Sequence, residues 1–375
     1  MTIAIDMVAT NLGSGTKTYN LNFCRYLNQI YLNKKIYIFV SKNYKDYIKD
    51  YSNKNIRYII KPNLLSNIFF RIIWMQFFLP FELKSLKVDK LFSPMNFGPI
   101  LLKLFNIKFI LALHSNLPWV FFSKMPGNKF RNFFTKFLME ISIIACDTLI
   151  VDSKFAKEEI IKLLKIKKDK VLVVYLGIDK KYINKNKNNN YLNDFDYKNY
   201  IISVMSCVKY HNVIDLLKAF KLLKSDQDLD LKFVFVMQVL DLKYFKEIKK
   251  FIKKNFSQNE IILLDNLDGK YLANLYQRAQ FYIFSSYCEV FGLTSLEAMS
   301  QGCPVMISQN SALPEINDNA AIYFNPDDFL EIKEVMKKVL MQPNFKKELI
   351  EKGNIRYKQF NWDSTVKETL KILNT

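Results

Sequence analysis

Short apolar runs alternate with longer amphipathic segments from one end of the 375-residue chain to the other. The short runs are rich in Val, Ile and Phe, and segments such as residues 212–223 repeat apolar residues at helical spacing. This alternation predicts strands separated by helices, and strands that are apolar throughout are typical of parallel sheets covered by helices on both faces. The predicted strands are residues 2–8, 35–40, 56–60, 88–92, 108–113, 147–152, 171–175, 200–205, 231–237, 261–264, 281–286 and 304–308.

A polar stretch, residues 179–199, is rich in Asn and Lys and is typical of a linker. A boundary there predicts two α/β domains, residues 1–178 and 200–359, each a doubly wound parallel sheet. A last helix at about 360–375 is expected to pack back on the first domain. Because ligands of such sheets bind beyond the carboxyl ends of the strands, we expect the two domains to face each other across a cleft that closes over a ligand.

Composition indicates a folded protein, because half of the residues are apolar and 15% are aromatic. The five cysteines have no metal-binding spacing, which predicts reduced thiols and no zinc site. The amino terminus lacks the basic flank and cleavage site of a signal peptide. The most membrane-like stretch, residues 67–83, is interrupted by Arg71, Gln76 and Pro80, too soon for a span of about 20 residues. We therefore expect a cytoplasmic protein, soluble or peripheral on the cytoplasmic face of the membrane.

The net charge of +20 is unevenly distributed. Residues 1–178 carry 27 basic and 11 acidic side chains, whereas residues 179–375 carry 28 and 24. A basic first half indicates an anionic partner, either a membrane surface or nucleic acid, although general Lys and Asn richness explains the charge equally well. We do not expect nucleic acid, because the sequence has no recognition helix, RNP-like aromatic strand pair or zinc module.

Two glutamates, Glu289 and Glu297, are separated by seven residues at the point where a predicted strand gives way to a helix. The backbone N–H groups of Gly292, Leu293 and Thr294 would lie at the amino end of that helix, where unpaired donors and the helix dipole favour phosphate oxygens. An ionised carboxylate can accept hydrogen bonds from a pair of hydroxyl groups. The alternative is structural, with Thr294 capping the helix, Glu297 bonding back to it and Glu289 solvated in a loop.

Residues 267–326 closely resemble the nucleotide-sugar-binding half of the retaining family 4 glycosyltransferases. The family has the same two glutamates with seven residues between them, and the second begins the sequence EAM, which is followed by a small residue, G, P and V. The resemblance implies the GT-B fold, which consists of two Rossmann-like doubly wound domains. It also implies that Glu289 approaches the donor sugar, that the amides of residues 292–294 meet its hydroxyls and diphosphate, and that Glu297 accepts the ribose hydroxyls.

Other stretches extend the resemblance over nearly the whole chain. Gly15 matches the second glycine of the family's GG-x-x-x-Y turn, with Tyr19 at the tyrosine position and Ser14 in place of the first glycine. Glycine at this place lets the backbone approach a phosphate closely. His114 follows an apolar strand where the family often carries a histidine directed at the donor sugar, and a buried core histidine is the alternative.

The chain departs from the family at residues 204–212. Many relatives carry a glycine, an arginine and a lysine here, and the arginine and the lysine bind the diphosphate. Met205, Ser206 and His211 stand at those three positions. Lys209 and a protonated His211 are the candidates to replace the missing cations, and a solvated Lys209 is the alternative.

The resemblance implies sugar transfer from a nucleoside diphosphate sugar, such as a UDP or GDP sugar, to a hydroxyl acceptor with retention of the anomeric configuration. Cell-surface polysaccharide or glycolipid assembly is the expected setting, and a nucleotide-sugar epimerase or phosphorylase of the same fold is the alternative. No metal ion or cofactor beyond the donor is expected. The Asp-x-Asp pattern within residues 225–230 precedes a strand, and so it lies away from the ligand edge of the sheet.

The acceptor, a saccharide or a lipid-linked saccharide, is expected on the first domain. Residues 121–137 interleave Lys and Arg with phenylalanines. This segment predicts either an amphipathic basic helix at an anionic membrane surface or a core-facing phenylalanine stripe with a solvated lysine face.

Overall fold

The computed structural model describes residues 1–8, 14–30, 32–49, 51, 53–179, 182, 199–226, 229–265, 267 and 269–375. These residues form two compact units. The first consists of Met1–Asn116, Phe133–Gly177 and Trp362–Thr375, and the second of Leu117–Asn132 and Ile178–Asn361. Most of the predicted linker, residues 179–199, lies outside the described residues.

The first unit contains a parallel sheet with seven strands among the described residues, in the order β3-β2-β1-β4-β5-β6-β7. The order of connection reverses between β1 and β4, and ligands of doubly wound sheets bind at such a switch point. The strands are β1 Ile3–Met7, β2 Ile36–Ser41, β3 Ile56–Lys61, β4 Lys90–Ser93, β5 Lys108–Leu113, β6 Thr148–Val151 and β7 Val171–Val173.

The second unit contains a parallel sheet with six strands in its described part, in the order β10-β9-β8-β11-β12-β13, and its switch point lies between β8 and β11. The strands are β8 Tyr200–Cys207, β9 Lys232–Val239, β10 Ile261–Leu264, β11 Tyr282–Phe284, β12 Val305–Ser308 and β13 Ala321–Phe324. The twelve strands predicted from the sequence are confirmed, and β13 was missed. The two doubly wound parallel sheets are confirmed with them.

Helices connect the strands and cover the sheets, and side-chain caps fix the start of several of them. Ser153 accepts a hydrogen bond from the N–H of Ala156, and Asp241 accepts one from the N–H of Tyr244. The helices of the first half are α1 Ser14–Leu27, α2 Lys45–Ile48, α3 Ile68–Ile73, α4 Leu79–Ser85, α5 Leu117–Val120, α6 Lys129–Ala145 and α7 Lys154–Leu164. The later helices are α8 Val213–Asp226, α9 Leu242–Asn255, α10 Gly269–Arg278, α11 Leu293–Ser300, α12 Leu313–Asn317, α13 Phe329–Met341, α14 Pro343–Arg356 and α15 Trp362–Asn374.

The carboxyl-terminal helix α15 packs within the first unit. Its Trp362 is fully buried, with its ring centroid 5.4 Å from that of Tyr19. The Thr365 hydroxyl donates a 2.7 Å hydrogen bond to the carbonyl of Tyr175. A buried tryptophan anchors the helix because it removes a large apolar area from water.

Helix α6 does not bury the phenylalanine stripe of residues 121–137. Phe130, Phe133, Phe134 and Phe137 are exposed, so the prediction of a core-facing stripe is wrong for these four. Phe121 and Phe122 lie before the helix and are half-buried, so they do not extend the exposed stripe.

Candidate active site

In the first unit, His114 and Asp152 extend two neighbouring strands. Strands β5 and β6 pair in a register that sets Leu113 beside Val151, so the residues that follow them emerge side by side at the carboxyl edge of the sheet. The His114 Nδ1 atom lies 2.9 Å from each carboxylate oxygen of Asp152. Asp152 was not predicted as a site residue, and its position at the carboxyl end of the predicted strand 147–152 was the available signal.

The Asp152 contact fixes how His114 presents its ring. The Asp152 side chain is 2% exposed, and an ionised carboxylate only accepts hydrogen bonds, so Nδ1–H of His114 is the donor. The other ring nitrogen, Nε2, is buried and has no hydrogen-bond partner among the described groups. Because buried polar atoms normally have a partner, this nitrogen is a candidate to bind a ligand group.

Two further contacts hold this histidine in place. The ring of Tyr19 packs against the imidazole with a centroid separation of 4.4 Å. Burial raises the pKa of Tyr19 well above its usual value, and the Asp152 charge adds to the rise. The backbone N–H of His114 donates a 2.6 Å hydrogen bond to the side chain of Asn96, which follows β4. Residues after three adjacent strands thus converge on His114.

In the second unit, the structure brings His211 and Glu289 together at the switch point. His211 follows β8 and Glu289 follows β11, and these neighbouring strands flank the reversal in strand order. The His211 Nε2 atom lies 3.2 Å from Oε1 of Glu289, and its Nδ1 atom lies 2.6 Å from the carbonyl oxygen of Ser206. The two residues were predicted as separate parts of the site, and their direct contact was not.

The contacts of the His211 ring determine which of its nitrogens carries a proton. A carbonyl oxygen can only accept, so Nδ1 carries a proton that it donates to Ser206. The contact with Glu289 is then a hydrogen bond only when a second proton lies between Nε2 and the carboxylate. Since the His211 side chain is 7% exposed, the imidazole acts as a fixed support for Glu289.

Backbone contacts fix the loop that carries Glu289. Its N–H donates a 2.9 Å hydrogen bond to the hydroxyl of Ser311, and its carbonyl accepts a 3.1 Å bond from the N–H of Ala312. The Ser285 hydroxyl donates to the carbonyl of His211 at 2.7 Å. Glu289 retains 22% exposure, so its position is fixed while its carboxylate stays accessible.

Gly292, Leu293 and Thr294 begin helix α11, as predicted. Gly292 precedes the helix with φ of 88°, and a Cβ atom there would lie 2.6 Å from Cδ2 of Leu313, so glycine is required. The predicted capping box is wrong, because Thr294 lies inside the helix and its hydroxyl contacts the Tyr282 hydroxyl at 2.7 Å. The first N–H groups of a helix lack intrahelical partners, so this end can bind an anion.

Glu297 lies one turn further along α11 and is partly exposed. Burial raises the pKa of Tyr282 well above its usual value, and the charges of Glu289 and Glu297 both add to the rise. Glu289 precedes the helix and Glu297 lies within it, and the charges of both act on the same buried tyrosine.

The other predicted residues are Lys209 in the second unit and Gly15 in the first. The Nζ atom of Lys209 lies 3.9 Å from Oε2 of Glu247, and both side chains are more than 40% exposed. Gly15 is the second residue of α1, and a Cβ atom added to it would meet none of its described neighbours within 4 Å. Residues 9–13, which precede this helix, lie outside the described residues.

The acidic pattern at residues 225–230 is only partly described. Its Asp226 ends α8 and lies 2.7 Å from Nζ of Lys333. Within the described part of the chain, no group of three His, Cys, Asp or Glu side chains is arranged to hold a metal ion. The five cysteines are free and buried.

An aromatic group next to His211 was not predicted. The ring of Phe121 lies 6.2 Å from that of Tyr210 and 5.9 Å from that of Tyr287, measured between centroids. The Tyr210 ring meets the His211 ring edge-on at 4.4 Å. Lys124, 5.4 Å above the Phe121 ring, completes the group. These residues form an apolar wall beside the polar pair of His211 and Glu289.

Solved structures of similar fold cover the whole chain. A glycosyltransferase from Rickettsia africae superposes with a TM-score of 0.74 at 19% identity, covering 99% of this chain and 97% of its own. HepE from Anabaena, in complex with UDP and glucose, superposes with a TM-score of 0.76 at 13% identity, covering 100% and 99%. The predicted GT-B fold class is confirmed.

Relatives in sequence carry glycosyltransferase names. The O-antigen chain mannosyltransferase RfbU of Salmonella typhimurium is 22% identical over 65% of this chain and 68% of its own length. The serotype-specific mannosyltransferase WbdA of Escherichia coli is 25% identical over 69% of this chain and 32% of its own length. The chain thus spans about two thirds of one relative and one third of the other. These matches do not favour the epimerase or phosphorylase alternative.

Two family profiles match consecutive parts of the chain. The profile described as Glycosyltransferase Family 4 matches residues 13–182, and the profile described as Glycosyl transferases group 1 matches residues 184–356. Together they take in most of the sequence, in the order of its two sheets. The chain therefore belongs to the family 4, or group 1, glycosyltransferases.

Proposed function

We propose that this glycosyltransferase moves a sugar from a nucleoside diphosphate sugar to a hydroxyl acceptor and retains the anomeric configuration. The observation that carries the proposal is the position of Glu289. Its carboxylate is held by His211 at the switch point of the second sheet, beside the amino end of α11. This is where a doubly wound sheet binds nucleotides, and a helix start there favours a diphosphate.

The donor-binding roles follow the chemistry of each group. Glu289 accepts hydrogen bonds from hydroxyls of the transferred sugar, and the N–H groups of residues 292–294 meet the diphosphate. Glu297 accepts the two ribose hydroxyls. Negative charge grows on the diphosphate as the anomeric bond breaks, so donors fixed before the reaction lower the barrier.

The remaining predicted residues receive roles in the same proposal. Gly15 leaves open space in which phosphate oxygens could approach the start of α1. Lys209 supplies a cation to the diphosphate, since its contact with Glu247 is long and exposed and so holds it weakly. His211 supports Glu289 through the 3.2 Å contact between its Nε2 atom and the carboxylate. His114 offers Nε2 to the transferred sugar, and Asp152 is a positioning residue that fixes its ring.

The departing diphosphate is proposed to help deprotonate the acceptor hydroxyl on the same face of the sugar. Retention then requires no covalent intermediate on the protein. The proposal includes no metal ion, because fixed amides and cations can stabilise the leaving diphosphate.

The relatives indicate which substrates to test first. RfbU and WbdA are named as mannosyltransferases, and RfbU as acting on the O-antigen chain. We therefore propose a hexosyl donor, with mannosyl donors first, and a saccharide or lipid-linked saccharide acceptor in cell-surface polysaccharide assembly. A cytoplasmic, membrane-peripheral location fits such an acceptor. No helix in the described parts of the chain is long and apolar enough to cross a membrane.

A thermal-shift panel of UDP and GDP sugars tests the proposal. We expect one nucleotide class to raise the unfolding temperature, because a ligand that binds only the folded state stabilises it. The Glu289→Ala variant should keep its unfolding temperature without ligand and lose transfer. Transfer at the wild-type rate by that variant, or stabilisation by no nucleotide sugar, would overturn the proposal.

A further inference from the structure

Exposed phenylalanines are concentrated in two segments of the chain. Nine phenylalanines are exposed among the described residues, and all of them lie between residues 69 and 81 or between residues 130 and 137. The buried phenylalanines of the second sheet, such as Phe233 and Phe284, show that the chain has core positions for this residue type. Exposed apolar side chains scattered singly need no explanation, but a concentrated group indicates an interaction surface.

The first group lies on a continuous helical stretch from Ile68 to Ser85. It consists of α3, a wider π-helical turn at Trp74–Phe78, and α4. The wider turn lies just before Pro80, which lacks an N–H and would clash with the preceding turn of a regular α-helix. The stretch can therefore stay helical through the proline.

This helical stretch has two apolar faces. One face is buried in the first unit and carries Trp74, Met75, Leu79 and Leu83, together with Arg71, whose Nη2 atom lies 3.7 Å from Oδ2 of the buried Asp6. The opposite face carries phenylalanines, of which Phe77, Phe78 and Phe81 are 62%, 59% and 64% exposed. A helix that packs on a core needs only one apolar face, so the second face requires a separate partner.

Neighbouring segments widen this second face. The Phe81 ring meets the Phe105 ring at 5.1 Å, which places the short turn Leu102–Phe105 beside α4, and Leu104 on that turn is 78% exposed. We define the phenylalanine face by the exposed apolar residues of these segments and by Leu101, which directly precedes the turn: Ile68, Phe69, Phe70, Phe77, Phe78, Phe81, Leu101 and Leu104.

Helix α6 lies next to this face. The carbonyl oxygen of Gly98 accepts a hydrogen bond from the side chain of Gln76 at 3.3 Å and another from the hydroxyl of Ser142 at 3.2 Å. The helical stretch and α6 therefore flank the same backbone group. The exposed apolar residues of α6 within the first unit are Phe133, Phe134, Phe137 and Ile144.

The charges around the phenylalanine face are mostly positive. Residues 61–108 contain seven basic and two acidic side chains, of which Arg71 and Lys90 are buried and Lys84, Lys87, Lys103 and Lys108 are exposed. The Nζ atom of Lys84 lies 6.0 Å from the centre of the Phe105 ring. Lysine can lay its apolar stem along such a surface and keep its charge in water, which complements the headgroups of anionic lipids.

We propose that the phenylalanine face inserts into the interfacial layer of a bilayer that contains anionic lipids. An apolar helix face bordered by lysines is the arrangement that binds at this depth without spanning the membrane. The phenylalanine face would hold the first domain at the surface where a lipid-linked acceptor lies, and this role rests on the proposed function.

Vesicle flotation tests this surface directly. The probes are vesicles of phosphatidylcholine alone and vesicles with about 30% phosphatidylglycerol, which gives the negative surface potential that attracts lysines. We expect wild-type protein to float with the anionic vesicles at low salt. The triple variant Phe77→Ser, Phe78→Ser, Phe81→Ser should bind at least about tenfold more weakly, because three exposed rings no longer leave water.

Two further variants test whether vesicle binding depends on this surface or on exposed apolar side chains in general. Leu242→Ser removes a side chain that is 71% exposed in the second unit, and it should float as the wild type does. Replacing Lys84, Lys87 and Lys103 with Gln should weaken binding to anionic vesicles about 100-fold and leave the weaker binding to phosphatidylcholine unchanged.

The outcomes distinguish this inference from the proposed function. Wild-type protein that is stabilised by a nucleotide sugar but floats with neither kind of vesicle would overturn the membrane surface alone. Flotation that needs the phenylalanines, in a protein that no nucleotide sugar stabilises, would support the surface and contradict the proposed donor. If light scattering shows a dimer that the triple serine variant abolishes, and no vesicle binding occurs, the occupant is a second copy and the membrane assignment is wrong.

Discussion

Replacing Asp152 with asparagine removes the charge that fixes the His114 ring and leaves the size of the side chain almost unchanged. In the wild type, Nδ1 of His114 lies 2.9 Å from both carboxylate oxygens. An asparagine offers only one acceptor oxygen to Nδ1–H. Its amide N–H groups can also donate to Nδ1 when that nitrogen carries no proton, which favours the other tautomer. The variant should therefore fold normally and hold His114 less firmly.

The size of the effect follows from the type of bond. A hydrogen bond to a charged group contributes about 1.5–3 kcal/mol, and Asp152 is almost fully buried, so little of this is lost to solvent screening. If the bond acts in the transition state, the turnover number falls about 10- to 100-fold. The KM for the donor should change little, because Asp152 acts on the ring and does not touch the substrate.

A double-mutant cycle and an NMR measurement check this prediction. In a His114→Ala background, Asp152→Asn should cost little further activity, because its partner is already absent. The chain contains two histidines, so the imidazole nitrogen signals of His114 and His211 can be assigned by single substitutions. The account is supported if His114 carries its proton on Nδ1 in the wild type and becomes a mixture of the Nδ1–H and Nε2–H tautomers in the variant. Full turnover by Asp152→Asn, or additive losses in the cycle, would refute it.

Three further predictions follow from the geometry. Gly292→Ala should lower the free energy of unfolding by about 1–2 kcal/mol and abolish stabilisation by a nucleotide, because alanine is strained at φ of 88° and clashes with Leu313. Gly15→Ala should keep the wild-type unfolding temperature and weaken nucleotide binding. An unchanged nucleotide affinity in Gly15→Ala would contradict the role of Gly15. Arg71 and Asp6 are both buried, with Nη2 of Arg71 3.7 Å from Oδ2 of Asp6. Arg71→Met should lower the free energy of unfolding by about 3–5 kcal/mol because it leaves the Asp6 carboxylate without its partner, and adding Asp6→Asn should restore much of that loss. No recovery in the double variant, measured by denaturant unfolding, would argue against the pair. Lys209→Ala should raise the Kd for a nucleoside diphosphate about tenfold and flatten its salt dependence in calorimetry, and an unchanged Kd would remove it from the site.

Much of the fold could be predicted because parallel strands leave a local signal. Each of the twelve predicted strands is an apolar run between amphipathic segments, and that pattern depends only on burial of the strand on both faces. The strand β13, Ala321–Phe324, was missed because its sequence gives a weaker strand signal than β10, which has the same length. It begins with alanine, which is depleted in strands, and contains a single β-branched residue, Ile322.

The contacts within the site were less predictable than its members. His114 and Asp152 are 38 positions apart in sequence, and His211 and Glu289 are 78 apart. Each pair meets because neighbouring strands end together, which depends on strand order and register. Local patterns do not encode either property, so the residues could be named while their partners could not.

The exposed phenylalanines show the same limit for surfaces. A phenylalanine every three or four residues predicts an apolar helix face, but the pattern does not say whether that face meets the core or the solvent. In α6 the face that carries Phe133 and Phe137 is exposed. In the stretch from Ile68 to Ser85 both faces are apolar, and only the packing shows which one is buried.

A crystal structure with UDP or GDP bound tests the central claim most directly. We predict a diphosphate oxygen within about 3.2 Å of the N–H of Leu293 or Thr294, and the ribose hydroxyls on the carboxylate of Glu297. A nucleotide bound away from the start of α11, with Glu289 and Glu297 turned to bulk water, would contradict the account.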